Sequence, residues 1–476
     1  MAPTCIDDIT TTAADVVRSG DLTIRIVSRC LVKASDTSIE PHVVPVSNLD
    51  LYTGDVQISI LCLYPEIPAT ANAGFEAVVA TFEAVLPSIL NHFYPLAGRI
   101  GTNPVTGLPE LLCHNQGAGL IVGAVDVALG SLNYGLASES LKKIMMPYPA
   151  DMALSVQLLR FACGGFSVVW GMNHLLNDGH AMTMFVRMWS ELARTGNIAS
   201  GMPNHDRSVF QTRSPPSYGA SLAAALTTYE ERRLINILTA HDSFIDRLYY
   251  VEAADIARLR DTASTKQQRA TRVQAVSAYL WKTLAGVVAA SRVREERCRM
   301  GWWVGARRRL TSPVLVPVMH NYFGNVTTYA LGDATVSEIL DKPLAEVAGM
   351  VRDAITSPDY DEHIQELVDF VEAHKTEGLM ETAVVGVGSP TLSQSVFDSF
   401  AVDTDFGFGQ ANLAMPISNF GRLCSAYLSV SSRPCGDGSW LVSAYIWPRL
   451  AAALESDEHR IFKPLTAAYL GLKNLN

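Results

Sequence analysis

The stretch Val156–Gly179, VQLLRFACGGFSVVWGMNHLLNDG, is the part of the chain whose local pattern is least ambiguous. Val156–Asn173 has the composition of two apolar strands joined at Gly164–Gly165. The second strand delivers His174 into a short polar loop, Leu175 to Gly179. The spacing then turns helical over His180–Arg194, with Met184, Val186, Met188 and Trp189 among the apolar positions. A histidine where a strand leaves the core can be held rigidly while one ring nitrogen faces a cleft.

The same alternation of patterns continues on either side. Leu22–Leu31 and Gln57–Leu63 are expected as strands, and Phe75–Phe93 and Ala181–Arg194 as helices. This is a mixed α/β pattern with no repeat of fixed period. A chain of 476 residues exceeds one ordinary core, so two domains are expected. The best boundary is Asn197–Tyr218, NIASGMPNHDRSVFQTRSPPSY, which is polar and carries Pro203, Pro215 and Pro216. It gives an N-terminal domain at 1–200, a crossover linker at 201–229 and a C-terminal domain at 230–476. A basic stretch, Arg258–Arg272, contains Arg258, Arg260, Lys266, Arg269 and Arg272. It is expected to be a solvated loop ahead of an apolar helix over Val273–Val288.

Bulk properties narrow the function. Apolar residues make up 48% and charged residues 18%, as in a well-packed globular enzyme. A net charge of −10 and a pI near 5.6 argue against a duplex-binding face, so nucleic acid is not an expected partner. Eight cysteines without any C-x-x-C pair suggest buried reduced thiols rather than zinc or a disulfide framework. The start of the chain lacks a basic segment followed by an apolar one. No run approaches the roughly 18 to 20 apolar residues of a membrane span. A cytoplasmic monomer with no membrane partner is expected.

His174-x-x-x-Asp178-Gly179 is the first motif with chemical content. Roughly 0.6 matches to H-x-x-x-D arise by chance with this many histidines, and roughly 0.04 when Gly must follow, so the glycine carries the signal. A plain alternative is a core histidine followed by a helix N-cap at Asp178. The chemical reading is a general base, because imidazole titrates at about pH 6.5 and can take a proton from an alcohol or amine. Asp178, at an Asp-Gly turn, is then geometric rather than chemical. The second motif is Asp405-Phe406-Gly407-Phe408-Gly409, where two glycines among aromatics allow a backbone turn close to another surface. Its continuation, Gln410-Ala411-Asn412, fails the dinucleotide fingerprint.

Together the two motifs resemble the plant BAHD acyltransferase family, whose signatures are H-x-x-x-D-G and D-F-G-W-G in this order. Tyr94-Pro-Leu-Ala-Gly98-Arg99, Arg307-x-Arg309-Leu310, Tyr322-Phe-Gly-Asn325 and Ala275–Trp281 extend the resemblance over nearly the whole chain. It implies two similar-sized domains like chloramphenicol acetyltransferase, each a mixed β-sheet with flanking helices, and an active-site channel between them. It implies acyl transfer from a coenzyme A thioester, with no tightly bound cofactor and no metal. His174 matches the base, and Asp178 matches an aspartate that pairs with an arginine, for which Arg307 is the candidate. Asp405, Gly407, Phe408 and Gly409 match a structural motif with its aspartate in a salt bridge.

Two positions depart from the family pattern. Phe408 replaces the usual Trp and Gly305 a usual Asp. Where the indole N–H steadies the tetrahedral oxyanion, its loss would cost about 3 kcal/mol. For coenzyme A the resemblance points to Lys266 or Arg269 at the ribose phosphate and Thr271 near the pantetheine arm. Asp398 stands where shikimate-using members carry an arginine. That disfavours shikimate or quinate and favours a cationic acceptor such as a polyamine or agmatine, unless Asp398 is a solvated loop residue. Hydroxycinnamoyl-CoA, the commonest family donor, is the expected donor in a setting of plant specialised metabolism. Three rivals remain. A serine hydrolase lacks its G-x-S-x-G. A peptide-synthetase condensation domain usually has a second histidine where Asn173 stands. A catalytically silent binding or scaffold protein fits the Phe408 and Gly305 departures.

Overall fold

The computed structural model describes residues 16–66, 74–228, 244–291, 296–377, 379–381, 389–397, 405–418, 424–456, 458, 460–472 and 474. Two seven-stranded sheets dominate it. The first contains β1 (Val16–Ser19), β2 (Leu22–Val32), β3 (Gln57–Tyr64), β4 (Ala118–Val125), β5 (Leu154–Phe161) and β6 (Phe166–Asn173). The second contains β7 (Ile245–Val251), β8 (Arg297–Gly305), β9 (Thr327–Thr335), β10 (Thr391–Val396), β12 (Ala426–Ser432), β13 (Trp440–Ile446) and β14 (Lys463–Pro464). Strand β11 (Leu413–Ser418) lies late in the chain yet belongs to the first sheet. The orders are β1-β2-β4-β5-β6-β3-β11 and β9-β8-β10-β12-β13-β7-β14. Each sheet mixes parallel and antiparallel pairs, as in β4 with β5 and β5 with β6. The expected mixed α/β architecture with two sheet-centred halves is present.

The local expectations were sound where periodicity was strong. The β5–β6 hairpin turns at Gly164, whose φ of +83° suits glycine, and Phe161 N–H closes it on Gly165 O at 2.8 Å. Helix α2 (Phe75–His92) buries Val78, Phe82, Leu86, Ile89 and Leu90 on one stripe. Helix α3 (Gly179–Thr195) buries Met184, Phe185, Met188 and Trp189. Phe82 meets Trp189 edge-on at 5.0 Å, which locks the two helices together over the first sheet. Among the described cysteines, none is bridged; five are buried, Cys163 is half-buried and Cys435 is exposed.

The basic stretch needs correction. Arg258 and Arg260 lie on helix α4 (Ala253–Ala263), not in a loop, and only residues 264–271 connect it to helix α5 (Arg272–Ala289). An amphipathic surface helix and a polar loop have similar composition, and the buried set Asp255, Ile256, Leu259 and Ala263 is too sparse to stand out. The segment 197–218 has little regular structure but is not a solvated tether. Asn204 N–H donates to Asn321 O at 2.7 Å and Arg207 is buried.

Strand β11 was not anticipated. The Asp405 motif prepares it. Asp405 Oδ1 accepts from Gly407 N–H and Gly409 N–H, each at 2.9 Å, and both glycines have left-handed φ, +102° and +95°. The tight turn puts Phe406 and Phe408 into the core of the first sheet. Phe406 stacks on Trp170 at 5.8 Å, and Phe408 meets Tyr64 and Phe166 edge-on, each at 5.4 Å. The chain then pairs antiparallel with β3, Leu413 opposite Leu63. A third core, with Leu61, Leu63, Met415, Leu248 and Leu441, seals the two sheets against each other.

The ring at 408 therefore contributes to the packing of the first core. Phe408→Ala is expected to lower unfolding free energy by about 3–5 kcal/mol, read from the midpoint shift in guanidinium denaturation.

Candidate active site

His174 follows the last residue of β6, and its backbone N–H donates to Val56 O at 2.8 Å, just before β3 begins. The preceding Asn173 accepts Leu175 N–H at 2.9 Å, which turns the chain sharply out of the sheet. The His174 side chain is half-buried. Its Nδ1 lies 3.1 Å from Oδ1 of Asn325, and the Asn325 amide nitrogen donates to the His174 backbone oxygen at 2.7 Å. Burial lowers the His174 pKa below its usual value, against the opposing pull of Asp178, its own backbone, Asn325 and Asp50. The imidazole is thus held at Nδ1, the residue's backbone oxygen is tied to the same amide, and burial favours the neutral ring.

The Asp178 carboxylate is engaged by other partners than that ring. It is the N-cap of α3, accepting Ala181 N–H at 3.0 Å, and it is paired with Arg307. Val326 N–H at 2.9 Å and Thr327 Oγ1 at 3.1 Å complete its shell. Burial alone would raise this carboxyl, but the Arg307 guanidinium and these hydrogen bonds hold it down at about 2. Arg307 also donates to the backbone oxygens of Tyr322 and Gly324, so it clamps the segment that carries Asn325. Gly179 has its own reason: a Cβ there would lie 2.2 Å from the Phe397 ring at the end of β10. The last residue of the H-x-x-x-D-G pattern is glycine because the second half of the chain touches the helix start.

Three further residues were not singled out from the sequence. Asn325 lies within the quoted Tyr322-Phe-Gly-Asn325 segment, but 151 positions from His174. Asp50 ends the run Ser47-Asn48-Leu49-Asp50, sits in helix α1 (Asn48–Thr53), and receives Asn325 Nδ2 at 2.8 Å. Arg207, from the expected linker, lies 3.5 Å from Asp50 and donates to Leu176 O at 2.8 Å. Each is one polar residue among others in its stretch, so no local pattern could have flagged it.

Of the other sequence candidates, Gly305 and His180 border this cluster, while Asp405, Lys266, Arg269 and Thr271 serve other places in the fold. Asp405 is 3.9 Å from Arg194 and serves its own turn. Lys266 and Arg269 are exposed on the loop before α5. Thr271 is the N-cap of that helix and forms a capping box with Gln274. Asp398 lies outside the described residues. Gly305 ends β8 opposite Thr327 and is exposed. His180 is pushed down to about 4 by burial and by Arg307, so it is neutral at ordinary pH.

A family model described as "Transferase family" matches residues 22–460. Similar proteins include putrescine hydroxycinnamoyltransferase of Oryza sativa subsp. japonica, 26% identical over 83% of this chain and 90% of its own. Agmatine hydroxycinnamoyltransferase 1 of the same plant is 28% identical over 85% and 90%. Omega-hydroxypalmitate O-feruloyl transferase of Arabidopsis thaliana is 26% identical over 78% and 80%. Among solved structures, vinorine synthase superposes with a TM-score of 0.66 at 20% identity, covering 95% of this chain and 98% of its own. F. graminearum TRI101, complexed with coenzyme A and T-2 mycotoxin, gives 0.69 at 15% identity, covering 89% and 99%. These structures share the fold.

Removing one charge of the buried Asp178–Arg307 pair should be costly. Asp178→Asn is expected to destabilise the protein by about 3–5 kcal/mol, because it leaves a buried guanidinium uncompensated. Equilibrium denaturation of the variant beside the parent measures this.

Proposed function

We propose, because this chain belongs to the Transferase family of BAHD acyltransferases, that it moves an aromatic acyl group from a coenzyme A thioester to a small-molecule hydroxyl or amine. Membership makes it an acyl-CoA-dependent acyltransferase. The finer reading assigns His174 as the general base. One observation carries it: a half-buried imidazole is held at Nδ1 by Asn325 and favoured neutral by burial. In this reading Nε2 takes the proton of the acceptor hydroxyl or amine as its oxygen or nitrogen attacks the thioester carbonyl. The tetrahedral intermediate then collapses, the C–S bond breaks, and the imidazolium returns the proton to the departing coenzyme A thiolate. No covalent acyl-enzyme is needed.

Hydroxycinnamoyl is the favoured donor, because the relatives named above carry hydroxycinnamoyl or feruloyl in their names. A cationic amine is the favoured acceptor, since two of those relatives are named for putrescine and agmatine and Asp398 would supply a matching charge. Lys266, Arg269 and Thr271 remain the residues proposed for coenzyme A. A cationic loop can attract its phosphates on a protein of net charge −10.

The test is thiol release from a panel of acyl-CoAs, offering an aliphatic alcohol, shikimate and agmatine as acceptors. His174→Ala is expected to lower the rate by about 10²–10⁴-fold with its fold intact. Equal, measurable rates for variant and parent would refute His174 as the base, and no transfer by the parent on any pair would favour the silent binding protein instead. Efficient shikimate transfer would refute the charge argument for Asp398. A base whose pKa is lowered stays active to lower pH, so the acid limb of kcat/KM is expected to have its midpoint below about 6.5.

A further inference from the structure

Among the described residues, His174 has no hydrogen bond to a carboxylate. It meets the side-chain amide of Asn325, and the orientation of that amide decides which ring nitrogen carries the proton. The nitrogen end of Asn325 lies 2.8 Å from Asp50 Oδ1 and 2.7 Å from the His174 backbone oxygen. Both atoms can only accept. An amide oxygen turned toward them would face two acceptors with no proton between, so the nitrogen belongs there and the oxygen faces His174 Nδ1. An oxygen at that distance requires Nδ1–H. The Nε2 lone pair is then free for an incoming nucleophile.

The backbone oxygen of His174 can play its part in any variant. Asp50 is the member that chemistry could change. It is wholly buried, and every hydrogen-bond partner of its carboxylate is a donor. Oδ1 accepts Asn325 N–H at 3.1 Å as well as the amide, and Oδ2 accepts Ser47 N–H and Ser47 Oγ–H, each at 2.8 Å. Arg207 Nε stands 3.5 Å from Oδ2, and the Arg207 guanidinium lies over the Tyr322 ring at 5.6 Å. A buried cation on one side and an amide on the other make the carboxylate acceptor-only at both oxygens.

We propose that Asp50 is a positioning residue for the acyl-transfer reaction: through the Asn325 amide it holds His174 in the Nδ1–H tautomer, with Arg207 and Ser47 fixing the carboxylate in the core. This rests on the reading of His174 as the general base. Asp50→Asn is the informative change. A single carbonyl oxygen at position 50 is drawn toward Arg207 and Ser47, which leaves an amino group facing Asn325. Asn325 meets that amino group only by turning its oxygen to it, which gives up the bond to the His174 backbone oxygen and brings its own amino group to His174 Nδ1. The ring must now accept at Nδ1 and carry its proton on Nε2, where the substrate needs a lone pair.

The experiment uses the whole protein labelled with ¹⁵N-histidine, with two-bond ¹H–¹⁵N correlations at pH 8 and the His174 signals assigned by their loss in His174→Ala. The parent is expected to show Nδ1–H at His174. Asp50→Asn is expected to show Nε2–H, with kcat for thiol release down about tenfold or more and KM little changed. A parent spectrum with Nε2–H overturns the proposal without any variant, so a failure of Asp50→Asn to fold leaves it testable. Lost kcat with the Nδ1–H tautomer retained also overturns it and leaves Asp50 a structural residue. A switched tautomer with kcat intact upholds the link from Asp50 to the ring and refutes the base reading.

Discussion

The site is organised by one buried ion pair. Asp178 and Arg307 come from opposite halves of the chain, the first from the loop after β6 and the second from the turn after β8. A carboxylate that is nearly inaccessible must be paired, and one pairing here fixes several things together. Asp178 caps α3, ties down Val326 and Thr327, and orients the arginine that grips Tyr322 and Gly324. The two readings open at the sequence level, helix cap or partner of an arginine, turn out to be compatible. With its pKa held near 2 and its oxygens occupied, Asp178 is poorly suited to receive a proton at ordinary pH.

A second buried pair, Asp50 with Arg207, stands behind Asn325, the residue that meets the histidine ring. Isolated buried pairs add little net stability, because desolvation offsets most of the attraction. Their value is geometric. Two of them, each spanning distant parts of the sequence, fix the segments that carry the ring and its amide partner. Strand β11 acts in the same direction, since pairing with β3 makes a late segment of the chain an integral part of the first sheet.

What the sequence disclosed follows from how far each signal reaches. Period-two and 3.6-residue patterns are local, and β2, β3, the β5–β6 hairpin, α2 and α3 all appeared within a residue or two of expectation. The position of His174 at a strand exit was legible for the same reason. Its partners were not. Asn325 is 151 residues away, and Asp50 is 275 residues from Asn325, so no window could join them. Asp50 resembles any acidic residue in a first helical turn, where it also completes the capping box with Ser47. Arg207 looked like a linker charge because burial of a single arginine in an irregular segment has no periodic signature. The motif at Asp405 was visible, but a turn sequence does not say which sheet the next strand will join.

An amide between histidine and carboxylate has a chemical consequence. A carboxylate touching the ring would stabilise the imidazolium and raise its pKa, so more of the enzyme would be protonated and idle near neutral pH. Asn325 supplies the orientation of such a contact while keeping the Asp50 charge one hydrogen bond further off, and burial then holds the ring neutral. The weaker support for the cation matters less here than in amide hydrolysis. A thioester is already activated, and its thiolate leaves readily because thiols have pKa values of about 8.5. With His174 as the proposed base, its imidazolium has only to survive from nucleophilic attack to collapse of the intermediate. An arrangement that favours neutral imidazole before the reaction, at some expense in stabilising the cation during it, suits transfer from a thioester better than it would suit cleavage of a peptide.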